Sequence, residues 1–131
     1  MHEKVRNTRN FNYISAVCAF LIWGSWSFYV NYSLAGLSKG LISGIAQGIS
    51  SFIITLFMTY LIEWQFNYYQ NKWAKFFLPP ICTVLLTGSS LILVHYLVET
   101  PHIFKTVSPA LSIAILFAFF TNYKLSKQIT H

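Results

Sequence analysis

Charge is what this chain has least of. Charged residues make up 9% of its 131 positions, and only three are acids, Glu3, Glu63 and Glu99. A soluble domain carries about 25% charged residues. With 55% hydrophobic residues, a soluble core of this size could not hide the apolar surface. A soluble globular domain is therefore excluded. Three scattered acids leave no acidic metal cluster, and no nucleophile–base pair lies at one level of the chain. No enzymatic activity, bound metal or cofactor is expected. Cysteine is scarce as well, at two residues. Cys18 and Cys82 fall near the cytoplasmic side of the topology derived below, where disulfides do not persist, so both are expected to be packing residues. There is no internal repeat and no low-complexity tract.

Long apolar runs are plentiful. Four are expected as transmembrane helices, over residues 12–32, 39–64, 76–98 and 106–123, each long enough or nearly so for about 30 Å of hydrocarbon. The first exceeds the apolar stretch of a secretory signal. It also places Trp23, Trp26, Tyr29 and Tyr32 ahead of the small-residue triplet at Ser33, so it is read as a retained span. Residues 65–75 are expected as an interfacial loop, with Phe66, Tyr68, Tyr69 and Trp73 at the headgroups and Lys72 and Lys75 in water. Pro79 and Pro80 are expected in the first turn or so of the third helix, where a missing N–H costs nothing. Thr106 or Ser108 is expected to cap the fourth.

The nine basic residues sort these spans. Lys4, Arg6, Arg9, Lys72, Lys75, Lys124 and Lys127 fall on one side, and Lys39 and Lys105 on the other. That bias predicts both termini in the cytoplasm. The fold class is thus all-α, a polytopic four-helix bundle forming a single membrane domain over residues 1–131, in a cell inner membrane. The net charge of +6 is expected to meet phospholipid headgroups, not nucleic acid.

Glycine is also rare, and four of the six glycines stand at one spacing: Gly36, Gly40, Gly44 and Gly48. In an aqueous helix each would cost about 0.5–1 kcal/mol. In a bilayer such a ladder lets a neighbouring backbone come close. The ladder is expected to pack helices, within a homo-oligomer or against a partner membrane protein. The small residues Thr83, Thr87, Gly88, Ser89 and Ser90 suggest a second close-packed face. On the ladder side, Gln47, Ser51, Thr55, Thr59 and Glu63 form a candidate polar path for a solute or headgroup. Glu63 is its ionisable end, a candidate proton or cation site or a partner for Lys72 or Lys75. His95, Glu99 and His102 form a candidate outer polar cluster whose spacing matches no metal signature.

Length and span number resemble those of the small multidrug-resistance transporters, but residues 12–32 contain no acid where those proteins carry a membrane-embedded glutamate. Thr121-Asn122-Tyr123-Lys124 faintly resembles the Asn-Arg-aromatic pattern of the GtrA-like proteins, which are similar in length and topology and are implicated in moving polyprenyl-linked sugars. Neither resemblance transfers a function. The expectation is a small accessory or transport-related protein handling a lipid-linked or amphiphilic solute. The alternative is a structural or immunity-type subunit of a larger membrane complex.

Overall fold

The computed structural model describes residues 4–129. Glu3 and His131 lie outside them. The described chain holds four α-helices: α1 (Arg9–Ala35), α2 (Leu37–Tyr68), α3 (Lys72–Leu97) and α4 (Ile103–Ser126). All four are long and apolar enough to cross a membrane. Burial is inverted relative to a soluble protein. Asn12, Asn31, Gln47, His95 and Asn122 are buried, while Ile14, Leu85, Phe104 and Leu116 are exposed. That pattern fits a membrane protein, whose outward faces meet lipid.

Each helix is longer than the span expected from hydropathy, although α3 ends one residue before the expected 98, because hydropathy reads only hydrocarbon and a helix continues into the interface. α1 starts three residues earlier than the expected Asn12, where Thr8 Oγ1 accepts the Phe11 N–H at 3.0 Å. α3 starts at Lys72 because Asn71 Oδ1 accepts the N–H groups of Trp73 and Ala74 at 2.9 and 3.3 Å. The expected loop over residues 65–75 shrinks to three residues, 69–71, between α2 and α3. The link between α1 and α2 is Gly36 alone, at φ 94°, a left-handed conformation that glycine enters without a Cβ clash. α4 begins at Ile103, ahead of both expected caps, and Thr106 Oγ1 instead donates to the His102 carbonyl at 2.5 Å.

The prolines sit deeper than expected, and neighbouring helices answer for them. Pro79 and Pro80 lie inside α3, so the carbonyls one turn earlier, at Lys75 and Phe76, lose their amide partners. Asn122 Nδ2 of α4 donates to both, at 2.8 and 3.1 Å. Pro109 frees the Lys105 carbonyl in the same way, and the Trp26 indole N–H of α1 donates to it at 3.4 Å. A bilayer offers no water to such carbonyls, so a neighbouring side chain must satisfy them.

The glycine ladder joins α1 to α2. A Cβ on Gly40 would lie 2.8 Å from Tyr32 Cβ, and one on Gly44 would lie 2.9 Å from Phe28 Cβ. Gly24 of α1 meets Gly44 and Gly48 from the other side. Three rungs are therefore covered within the chain, and the fourth, Gly36, is the turn. The second small-residue face divides. Thr83, Thr87 and Gly88 are buried, Gly88 against Leu111 of α4, while Ser89 and Ser90 are exposed and donate to carbonyls of their own helix. α1 packs on α2 and α4, and among the described residues its backbone stays clear of that of α3.

Candidate functional site

Because α1 stands away from α3, a cleft of about 320 Å³ opens between α1 and α4. Its walls are Ile14, Ser15, Cys18, Ile22 and Trp23 of α1 and Ala110, Ile113, Ala114 and Phe117 of α4. Its floor is Ser51, Ile54, Thr55 and Met58 of α2, with Thr87 and Leu91 of α3. Ile14, Ile22 and Ile113 are exposed at the rim, so the cleft opens sideways. The walls are almost wholly apolar. Hydroxyls occur chiefly in the floor, and Thr87 already donates to the Thr83 carbonyl at 2.8 Å. Such a surface favours a hydrocarbon chain over a polar solute, since it gives polar atoms few partners.

A buried polar cluster lies one helical turn beyond the cleft, at the end away from the termini. His95, fully buried, meets Gln47 Oε1 through Nε2 and Thr100 Oγ1 through Nδ1, the latter at 2.6 Å. Gln47 Oε1 can only accept, so Nε2 carries the proton and Nδ1 takes the Thr100 hydroxyl. Ser43 Oγ donates onward to Thr100 Oγ1 at 3.3 Å, and Ser27 Oγ of α1 donates to the Ser43 carbonyl at 3.0 Å. Asn31 completes the set by donating to Thr106 Oγ1 at 3.0 Å. All four helices are thereby pinned at this end.

The chain turn that aims Thr100 is itself constrained. Glu99 has φ 59°. The Thr100 N–H reaches the His95 carbonyl at 2.9 Å and the Glu99 N–H reaches that of Tyr96 at 3.2 Å. This is a helix-ending motif usually built on glycine. With Glu99 in that position its side chain points outward, 3.9 Å from Lys39. His102 is exposed. The outer trio therefore divides: His95 turns inward, while Glu99 and His102 face outward. Among the described residues no three His, Cys, Asp or Glu side chains gather around one point.

At the other end, residues 4–8 precede α1 without regular secondary structure and dock on the helix ends. The Asn67 carboxamide pairs with both the N–H and the carbonyl of Val5, at 2.9 and 3.0 Å. The Gln128 carboxamide does the same for Arg6, at 3.2 and 2.7 Å. Val5 is buried with Met58, Ile62, Phe66, Ala118 and Leu125. The Asn7 N–H donates to Glu63 Oε1 at 2.7 Å, and Asn7 Nδ2 to the Thr59 carbonyl at 3.2 Å. Lys75 donates to the Phe66 carbonyl at 2.6 Å, and the Lys124 ammonium sits over the Phe11 ring, 3.4 Å from its centroid.

The stripe of Gln47, Ser51, Thr55, Thr59 and Glu63 thus connects three places: the His95 cluster, the cleft floor and the docked N-terminal segment. Sequence reasoning missed Asn7, Asn67, Thr100, Asn122 and Gln128. For Thr8 and Asn71 a capping signal was present at the helix start; for the others only the fold supplies the partner. No family model, curated protein or solved structure matches this chain.

Proposed function

We propose that this chain is a small inner-membrane protein that handles a lipid-linked or amphiphilic solute as a transport-related or accessory component, and that it binds without converting it. The supporting observation is the sideways-opening cleft between α1 and α4, apolar in its walls and lined by Ser51, Thr55 and Thr87 below. In this reading a hydrocarbon chain enters laterally from the bilayer and lies along the stripe of α2, with its polar group at one of the two polar ends.

Purified protein in nanodiscs, examined by native mass spectrometry, is expected to retain an amphiphile. Ala114→Trp fills the cleft and should reduce that retention by about tenfold or more, the loss expected when about 1.4 kcal/mol of binding is removed. Leu85→Trp, on an exposed face, should retain as the parent does. Equal retention in both variants would reject the cleft as the binding surface. The charge bias further supports an orientation with both termini in the cytoplasm. A periplasm-active reporter fused after His131 is expected to be silent; an active fusion would overturn that orientation.

A further inference from the structure

We infer that the terminal end of the molecule carries a site for a monovalent cation of the sodium type, built on Glu63. The site is independent of which amphiphile occupies the cleft. Glu63 is half-buried and makes no ion pair with any described residue, although basic side chains are abundant at this end. Among the described residues its one hydrogen-bond donor is the Asn7 backbone N–H. Lys75 and Lys124, the basic residues of α3 and α4 drawn in at this end, are turned onto the Phe66 carbonyl and the Phe11 ring instead.

Several oxygens at this end of the bundle are left without a partner. Asn7 Oδ1, Asn12 Oδ1 and Thr121 Oγ1 are buried without a hydrogen-bond partner among the described residues. Asn12 is 2% exposed and Thr121 is 0% exposed. The Thr59 hydroxyl spends its proton on the Leu56 carbonyl at 2.7 Å, leaving its lone pairs free. Their placement follows from the packing. Asn7 bridges Thr59 and Glu63 directly. The antiparallel register that pairs Tyr32 with Gly40, Phe28 with Gly44 and Phe20 with Gly48, carried on along the helices, sets Asn12 at the level of residues 56–60 of α2, the turn that holds Thr59. Thr121 lies on the face of α4 that carries Ala118 and Leu125, both packed with Met58 and Ile62.

A buried acceptor without a donor is costly, and a carboxylate among such acceptors more so. A cation resolves all of them at once. One carboxylate among neutral amide and hydroxyl oxygens balances a single positive charge. Calcium sites recruit several carboxylates, and magnesium keeps most of its water. The chemistry therefore points to a monovalent ion held by hard oxygens.

The test is equilibrium binding of radioactive sodium to the full-length protein in nanodiscs at constant ionic strength. The expected result is saturable binding, displaced by unlabelled sodium and not by choline. Glu63→Gln should weaken it by about tenfold or more. Asn12→Ala and Thr121→Val should each weaken it measurably, and they carry the test if Glu63→Gln fails to assemble. Glu99→Gln, which alters the exposed acid at the opposite end, should bind as the parent does. Absence of saturable binding by the parent would overturn the site and leave water as the partner of these oxygens. So would an equal loss in Glu99→Gln and Glu63→Gln.

Discussion

Asn122→Leu is expected to destabilise this protein by about 2–4 kcal/mol, a larger effect than its single carboxamide suggests. Interhelical side-chain hydrogen bonds in membranes average only about 0.6 kcal/mol, because the separated helices find other partners. Asn122 differs in what its loss leaves behind. It donates to the Lys75 and Phe76 carbonyls at 2.8 and 3.1 Å, and Pro79 and Pro80 have removed the amides that would otherwise serve them. Leucine would strand both carbonyls in a site where Asn122 itself is 1% exposed. Each stranded group costs about 1–3 kcal/mol. The same logic predicts a rescue. In a Pro79→Ala, Pro80→Ala background the helix regains its own donors, and Asn122→Leu should cost less than about 1 kcal/mol. Reversible unfolding of the four proteins in mixed micelles measures this coupling. Additive losses would show that Asn122 does not answer for the prolines.

The second large effect is expected along the ladder, graded rung by rung. A Cβ on Gly40 would stand 2.8 Å from Tyr32 Cβ and 2.9 Å from its Cα; one on Gly44 would stand 2.9 Å from Phe28 Cβ and 3.1 Å from the Gly24 carbonyl. Those neighbours are backbone or fixed to it, so α1 must move away as a body. Overpacking of this kind costs about 1–3 kcal/mol and occasionally more. Gly40→Leu and Gly44→Leu should sit at or above the top of that range and fail to accumulate as folded protein. At Gly48 the nearest atoms belong to the Phe20 ring, 3.3 Å away, and a ring can swing. Gly48→Ala should cost no more than about 1 kcal/mol by the same reasoning. The yield of folded protein extracted from the membrane would rank the three. A Gly48→Ala loss equal to that of Gly44→Leu would contradict the close backbone approach.

The four helices were legible because apolar runs and the spacing of Gly40, Gly44 and Gly48 are local signals. Their ends were less so. Hydropathy falls at the interface, whereas Thr8 and Asn71 start helices by geometry that it does not register. The stripe from Gln47 to Glu63 could be read as one face, but not what meets it, since Gln47 and His95 come together across 48 residues. His95, Glu99 and His102 look equivalent in sequence. A left-handed Glu99 separates them, and β-like or helical propensity does not forecast that. Residues 4–8 read only as polar and basic, yet Asn67 and Gln128 bind their backbone, which no side-chain pattern announces. Asn122 belongs with Pro79 and Pro80 only once α4 is laid beside α3.

The central claim is that the cleft between α1 and α4 holds an amphiphile's hydrocarbon chain. Photocrosslinking with a chain-labelled lipid analogue in nanodiscs, followed by peptide mapping, tests it most directly. Adducts should concentrate on Cys18, Ile22 and Ile113 and fall away in Ala114→Trp. Adducts spread evenly over the exposed Ile45, Leu85 and Leu93, and unchanged by Ala114→Trp, would mean that lipid merely coats the protein and that the cleft is not its site.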